Sequence, residues 1–139
     1  MPFVRAKSIK ANKRNAHATL MNWEVYPASI YYALKRLSTY AGIKEIIVTE
    51  NGAAFKDELI QNNVADDSRI DYLKSYIAQV LKAKKEGVHV TGYFVWTLLD
   101  NFEWAEGFHP RFGLVHVDFK TQQRTIKASG KWYGNFIKK

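Results

Sequence analysis

Apolar side chains recur at helical spacing in three stretches of the chain, and two short β-branched runs separate them. Ile30, Ala33, Leu34 and Leu37 fall three or four residues apart and predict a helix with one apolar stripe, opened by Pro27, where a missing N–H costs nothing. Gly42 follows as a stop signal. Glu45-Ile46-Ile47-Val48-Thr49 is a run of buried-strand type that ends at Glu50-Asn51-Gly52, a loop signal, and residues 53–66 read as loop. A second helix starts at Asp66 or Asp67 as its cap, carries the stripe Ile70, Leu73, Ile77, Val80 and Leu81, and stops at Gly87. A second strand spans Val88 to Trp96. Residues 114–119 alternate like a strand or hairpin arm. A last helix runs from about Lys127 to Lys138, with Trp132, Tyr133, Phe136 and Ile137 as its packing face. Residues 1–18 are a basic, weakly patterned lead-in.

Helix, strand, helix, strand, helix is the order of parallel strands joined by crossover helices, so the fold class expected is α/β. Two parallel strands cannot cover both of their faces, and the pattern therefore describes part of a larger sheet. The 139 residues are one domain's worth at most, and 47% hydrophobic with 24% charged residues is a globular composition. The chain has no cysteine, which excludes disulfides, thiolate metal sites and a thiol nucleophile, and leans towards a reducing compartment such as the cytoplasm. No apolar run is long enough to span a membrane. The net charge of +8 raises the question of nucleic acid, but no nucleic-acid motif accompanies it. Lysines such as Lys82, Lys84 and Lys85 at one helix end and Lys138 and Lys139 at the chain end account for it as solvated surface. His17, His89, His109 and His116 show no metal-ligand spacing.

The candidate chemistry lies at the C-terminal ends of the two strands, the end that carries active sites in α/β barrels. The first strand delivers Glu50, a carboxylate directly after an apolar run, suited to act as base, nucleophile or ligand, although a loop glutamate that meets only solvent has the same local sequence. The second delivers the stretch from Trp96 to Phe108, dense in both aromatics and carboxylates. Sugars have apolar C–H faces and a rim of hydroxyls, so a sugar pocket combines aromatic platforms with carboxylate and amide partners. On composition alone a packed aromatic loop fits this stretch equally well.

Four segments in order resemble family 1 glycoside hydrolases, the β-glucosidase family: Asn22-Trp23-Glu24-Val25-Tyr26-Pro27, Val48-Thr49-Glu50-Asn51-Gly52, Gly92 to Trp104 with its Trp96-Thr97-Leu98-Leu99-Asp100-Asn101-Phe102-Glu103-Trp104 core, and Arg111-Phe112-Gly113-Leu114-Val115-His116-Val117-Asp118. The likeness runs from about residue 19 to the last helix. Asn22 and Ala28 depart from the pattern, where many relatives carry Gly and Glu, and both lie away from the chemistry.

The resemblance implies the C-terminal part of a (β/α)₈ barrel, with residues 1–139 supplying strands seven and eight and their helices. It implies a retaining β-glycosidase that hydrolyses terminal β-D-glycosyl residues of a β-glucoside or related β-glycoside, with no cofactor and no metal. By the same resemblance Glu50 is the catalytic nucleophile. Trp96 lies beneath the sugar, Glu103 and Trp104 hydrogen-bond its hydroxyls, and Phe112 closes part of the pocket. The acid/base partner belongs to an Asn-Glu-Pro motif, which this sequence does not contain. The chain alone is therefore expected to be inactive and to need a complementary N-terminal portion. A non-catalytic module that binds such a portion, or sugar weakly, is the alternative.

Overall fold

In the computed structural model, residues 17–138 are described. The lead-in residues Arg5, Lys7, Lys10, Lys13 and Arg14, and Lys139, lie outside them. The described elements are α1 (Ala28–Leu37), β1 (Ile46–Asn51), α2 (Asp67–Lys85), β2 (Val90–Val95), β3 (Val115–Val117), β4 (Arg124–Ile126) and α3 (Ala128–Phe136). β1 and β2 pair in parallel, with Ile46 opposite Val90 and Val48 opposite Tyr93, and α2 is the crossover between them. The α/β expectation therefore holds, and among the described residues no barrel closes.

The helices cover one face of this two-stranded sheet. Leu34 of α1, Val80 and Ala83 of α2, and Val88 and Val90 form one buried cluster, with Ile46, Val48 and Tyr93 packed against it. A second cluster joins Tyr72, Leu73, Tyr76 and Ile77 of α2 to Ala53 and Leu114, and Trp132 and Tyr133 of α3 pack on it. The opposite sheet face is bare: Ile47 is 47% and Phe94 59% exposed. Alternation along a strand sends successive side chains to opposite faces, so the residues left bare are those that a barrel interior would cover.

Helix ends follow local chemistry in one case and tertiary contacts in another. Gly87 takes φ +93°, its N–H donates to the Lys84 carbonyl, and Val88 N–H donates to Ala83, which closes α2 with a Schellman turn. Ala83 and Val88 are both buried in the same cluster, the apolar contact that accompanies this motif. Asp66 does occupy the N-cap position of α2, but its side chain makes no capping bond. It accepts instead from the Ser129 backbone N–H at 2.8 Å and from Arg69.

Other expectations need correction. Glu50 and Asn51 are the last residues of β1 rather than loop, and β2 is shorter than Val88 to Trp96. Leu81 is 52% exposed, because the face that buries Val80 and Ala83 turns it outward. The buried stripe of α2 is richer in polar atoms than the apolar pattern suggested, since it includes Arg69, Tyr72 and Tyr76. Phe136 and Ile137 are exposed at the end of α3, whose contact face is Trp132 and Tyr133. The alternating segment at 114–119 is, as expected, a hairpin arm: β3 pairs antiparallel with β4, with Val115 opposite Ile126.

Candidate active site

Glu50 projects from the last turn of the pleat in β1, directly before Asn51, whose side chain points the other way. There the Tyr93 hydroxyl donates to Asn51 Oδ1 at 2.7 Å and Asn51 Nδ2 donates to the Tyr72 hydroxyl at 3.3 Å. Burial pushes both tyrosine hydroxyls well above the usual phenol range, so they stay protonated, and Tyr93 stays a donor. Asn51 is thus anchored behind the sheet, while Glu50 lines the open cleft; the register shift between Val48 and Asn51 breaks the regular alternation of β1 at this point.

The end of β2 is tied to the same point. Trp96 N–H donates to the Asn51 carbonyl at 3.0 Å, and the following Trp96–Thr97 peptide is cis. Gly52 lies against this peptide so closely that a Cβ there would fall 1.6 Å from the Trp96 carbonyl oxygen. Only glycine fits that approach. Beyond it, Thr97 to Asp100 runs beside residues 112–115: Leu114 N–H donates to Thr97, Val115 N–H to Leu98, and Asp100 N–H to Val115.

Two loops complete the walls. Glu103 N–H donates to the Gly107 carbonyl at 2.7 Å, closing a tight loop around the 3₁₀ turn Trp104–Glu106. Trp104, held at φ +40°, is 82% exposed at the rim. Phe112 is only 2% exposed, with its ring 6.0 Å from that of Trp23.

Glu50, Trp96, Glu103, Trp104 and Phe112, the five residues singled out from sequence, line one open cleft of about 480 Å³, together with Trp23 and Gly52. Trp23 was not nominated as a site residue, although it stands in the first of the four motifs. A larger groove of about 610 Å³ lies beside α2, lined by Val25, Phe55 and Tyr72 among others. It holds none of the five and lacks their combination of indole platforms with facing carboxylates. In the cleft, two carboxylates, from Glu50 and Glu103, share the space with three tryptophans and a phenylalanine. Such a surface can stack an apolar ring face and hydrogen-bond its polar edge. Among the described residues no cluster of three or more His, Cys, Asp or Glu side chains is arranged to hold a metal ion, and no helix is long and apolar enough to cross a membrane.

Residues 4–139 match the family model described as glycosyl hydrolase family 1. β-Glucosidase A of Thermotoga maritima is 51% identical over 127 residues, which is 91% of this chain and 28% of that protein. A 6-phospho-β-galactosidase of Streptococcus equi subsp. zooepidemicus is 43% identical over 81% of this chain and 24% of that protein. The solved family 1 β-glucosidase from Thermotoga maritima in complex with isofagomine lactam superposes with a TM-score of 0.88 at 52% identity, over 90% of this chain and 29% of that one. The chain spans less than a third of the length of these relatives.

Proposed function

Because the chain belongs to glycosyl hydrolase family 1, we propose that it is the C-terminal part of a retaining β-glycosidase of the β-glucosidase type, with Glu50 as the nucleophile. The observation that carries this reading is the convergence of Glu50, Trp96, Glu103, Trp104 and Phe112 on one cleft from separate segments of the chain.

The glycone lies on Trp96, with Glu103 and Trp104 at its hydroxyls and Phe112 closing the wall. The ionised Glu50 carboxylate attacks the anomeric carbon as the bond to the leaving oxygen breaks, giving a glycosyl ester on Glu50. Water then attacks the same carbon and frees Glu50. A second carboxyl group, roughly 5–5.5 Å from the first in retaining enzymes, protonates the leaving oxygen and later deprotonates the water. Glu103 is committed to the sugar, and no Asn-Glu-Pro motif occurs in this sequence. The second group therefore comes from a complementary portion of the barrel, which also covers Ile47 and Phe94. General acid–base help is worth typically about 10²–10⁴-fold, so the chain alone is inactive or nearly so. The same bare sheet face supports the alternative reading, a non-catalytic module whose role is to hold that complementary portion.

The substrate is a neutral β-glucoside or related β-glycoside. One relative is named a 6-phospho-β-galactosidase, but a carboxylate at the position of Glu103 repels a sugar phosphate. The cysteine-free composition fits a reducing compartment such as the cytoplasm.

The test is intact-protein mass after incubation with a 2-fluoro-β-glucoside bearing an activated leaving group, which needs little acid assistance. The chain is assayed alone and mixed with the N-terminal portion of a family 1 β-glucosidase. One added fluoroglucosyl unit, mapped to Glu50 and lost in Glu50→Gln, is the expected result. A label on any other residue, or none in the folded mixture, overturns the assignment.

A further inference from the structure

Bonded to the segments that flank the cleft is a set of buried charges that the proposed chemistry does not use. Lys127, just before α3, is fully buried, as are the side chains of its partners Asp57 and Asp100. Its ammonium group donates to Asp57 Oδ2 at 2.5 Å and to Asp100 Oδ1 at 2.8 Å. Asp57 also receives Arg69 at 3.0 Å, and Arg69 donates to the carbonyls of Ala53 and Arg111. Asp100 in turn accepts Gly113 N–H at 2.8 Å and Arg111 at 3.1 Å.

Two links make this set more than packing. Asp100 sits between Trp96 and Glu103 in the chain, and its carboxylate holds the amide that directly follows Phe112. Asp57 belongs to the segment that leaves Gly52, and Arg69 pins the carbonyl of Ala53, the next residue. Lys127 is the only group among the described residues that donates to both carboxylates. A hydrogen bond to an ionised group in a dry site is strong, and the loss of one partner leaves the other charge uncompensated.

We propose that Lys127 is a positioning residue for the cleft: clamped between Asp57 and Asp100, it fixes the Phe112–Gly113 wall relative to the Glu50–Gly52 strand end. That this wall serves a sugar rests on the reading above. The clamp itself does not.

The experiment compares residue-resolved amide hydrogen exchange and ¹⁵N–¹H spectra of the full 139-residue chain with Lys127→Met and Lys127→Arg. In Lys127→Met, exchange at Gly113 rises about 10-fold or more. Its amide proton resonance moves upfield as the bond to Asp100 lengthens, while the α2 amides from Tyr76 to Val80 keep their rates and shifts. Lys127→Arg, which keeps the charge, restores Gly113. Acceleration spread evenly over α2 and the β1–β2 ladder, or an unchanged Gly113, overturns the proposal. If neither variant folds, Lys127 determines the fold rather than the cleft, and the proposal falls. Tryptophan fluorescence on titration with isofagomine lactam separates the two readings. A protected Gly113 without any sugar-mimic response leaves the clamp standing and counts against the glycone assignment alone.

Discussion

Replacing Gly52 by alanine tests the junction on which the cleft depends. The added methyl falls 1.6 Å from the Trp96 carbonyl oxygen and 2.7 Å from its carbon. Carbon–oxygen contacts settle no closer than about 3.3 Å, so the Trp96 carbonyl oxygen must retreat by roughly 1.7 Å. It cannot do so freely. Trp96 N–H is bonded to Asn51 at 3.0 Å, and Thr97 is bonded to the 112–114 segment on the other side. Overpacking of this kind costs about 1–3 kcal/mol, and a lost backbone hydrogen bond adds about 1 kcal/mol. Gly52→Ala should therefore destabilise the fold by about 2–4 kcal/mol, a large share of the stability of a small domain. In a complete barrel, displacing the Trp96 platform by more than about 1 Å should also lower turnover by about 10²-fold. The matching control is Gly134→Ala in α3, where nothing lies within 4 Å of the new methyl. There the same substitution should stabilise by about 0.5–1 kcal/mol, since alanine is the better helix former. Urea unfolding reads both through the midpoint at constant slope. A Gly52→Ala midpoint equal to wild type, or shifts of the same sign in the two variants, would refute the reasoning.

Three further outcomes are expected. Leu73 is fully buried at the centre of the second cluster, and Leu73→Ala should cost about 2–5 kcal/mol in urea unfolding. Trp96→Ala in a complete barrel should weaken binding of a monosaccharide mimic about tenfold or more, by removal of one aromatic platform; an unchanged inhibition constant would count against the cleft. Burial, helped by Arg111, holds the His116 imidazole below its ordinary value of 6.5. As pH falls through that value the unfolded chain takes up its proton first, so stability is full above about pH 6.5 and declines below it. His116→Gln should flatten that part of a stability-versus-pH curve.

The elements that could be read from sequence are those whose signal is local. The stripe at Ile30, Leu34 and Leu37, the β-branched run before Glu50, and Gly87 as a stop each sit within one turn or one strand of their cause, and each lies within or beside the element it foretold. The cleft was legible for a different reason. Four long motifs in order carry family information that no single spacing holds, and the residues they nominated line one cleft. Local reading failed where a distant partner outcompetes a near one. Asp66 looks like a helix cap, but Ser129, 63 positions away, and Arg69 take its oxygens.

Lys127 shows why charge counts mislead in the same way. In a chain of net charge +8, a lysine at a helix start reads as one more solvated cation. Its neighbours Ile126 and Ala128 give no hint of the carboxylates 70 and 27 positions back that take its three-proton head out of water. The positive excess lies on surfaces such as the last turn of α2, with Lys82, Lys84 and Lys85. The cations of the ion-pair network, Lys127, Arg69 and Arg111, are matched by Asp57, Asp66 and Asp100. A buried set with equal numbers of either sign avoids the cost of an unpaired charge.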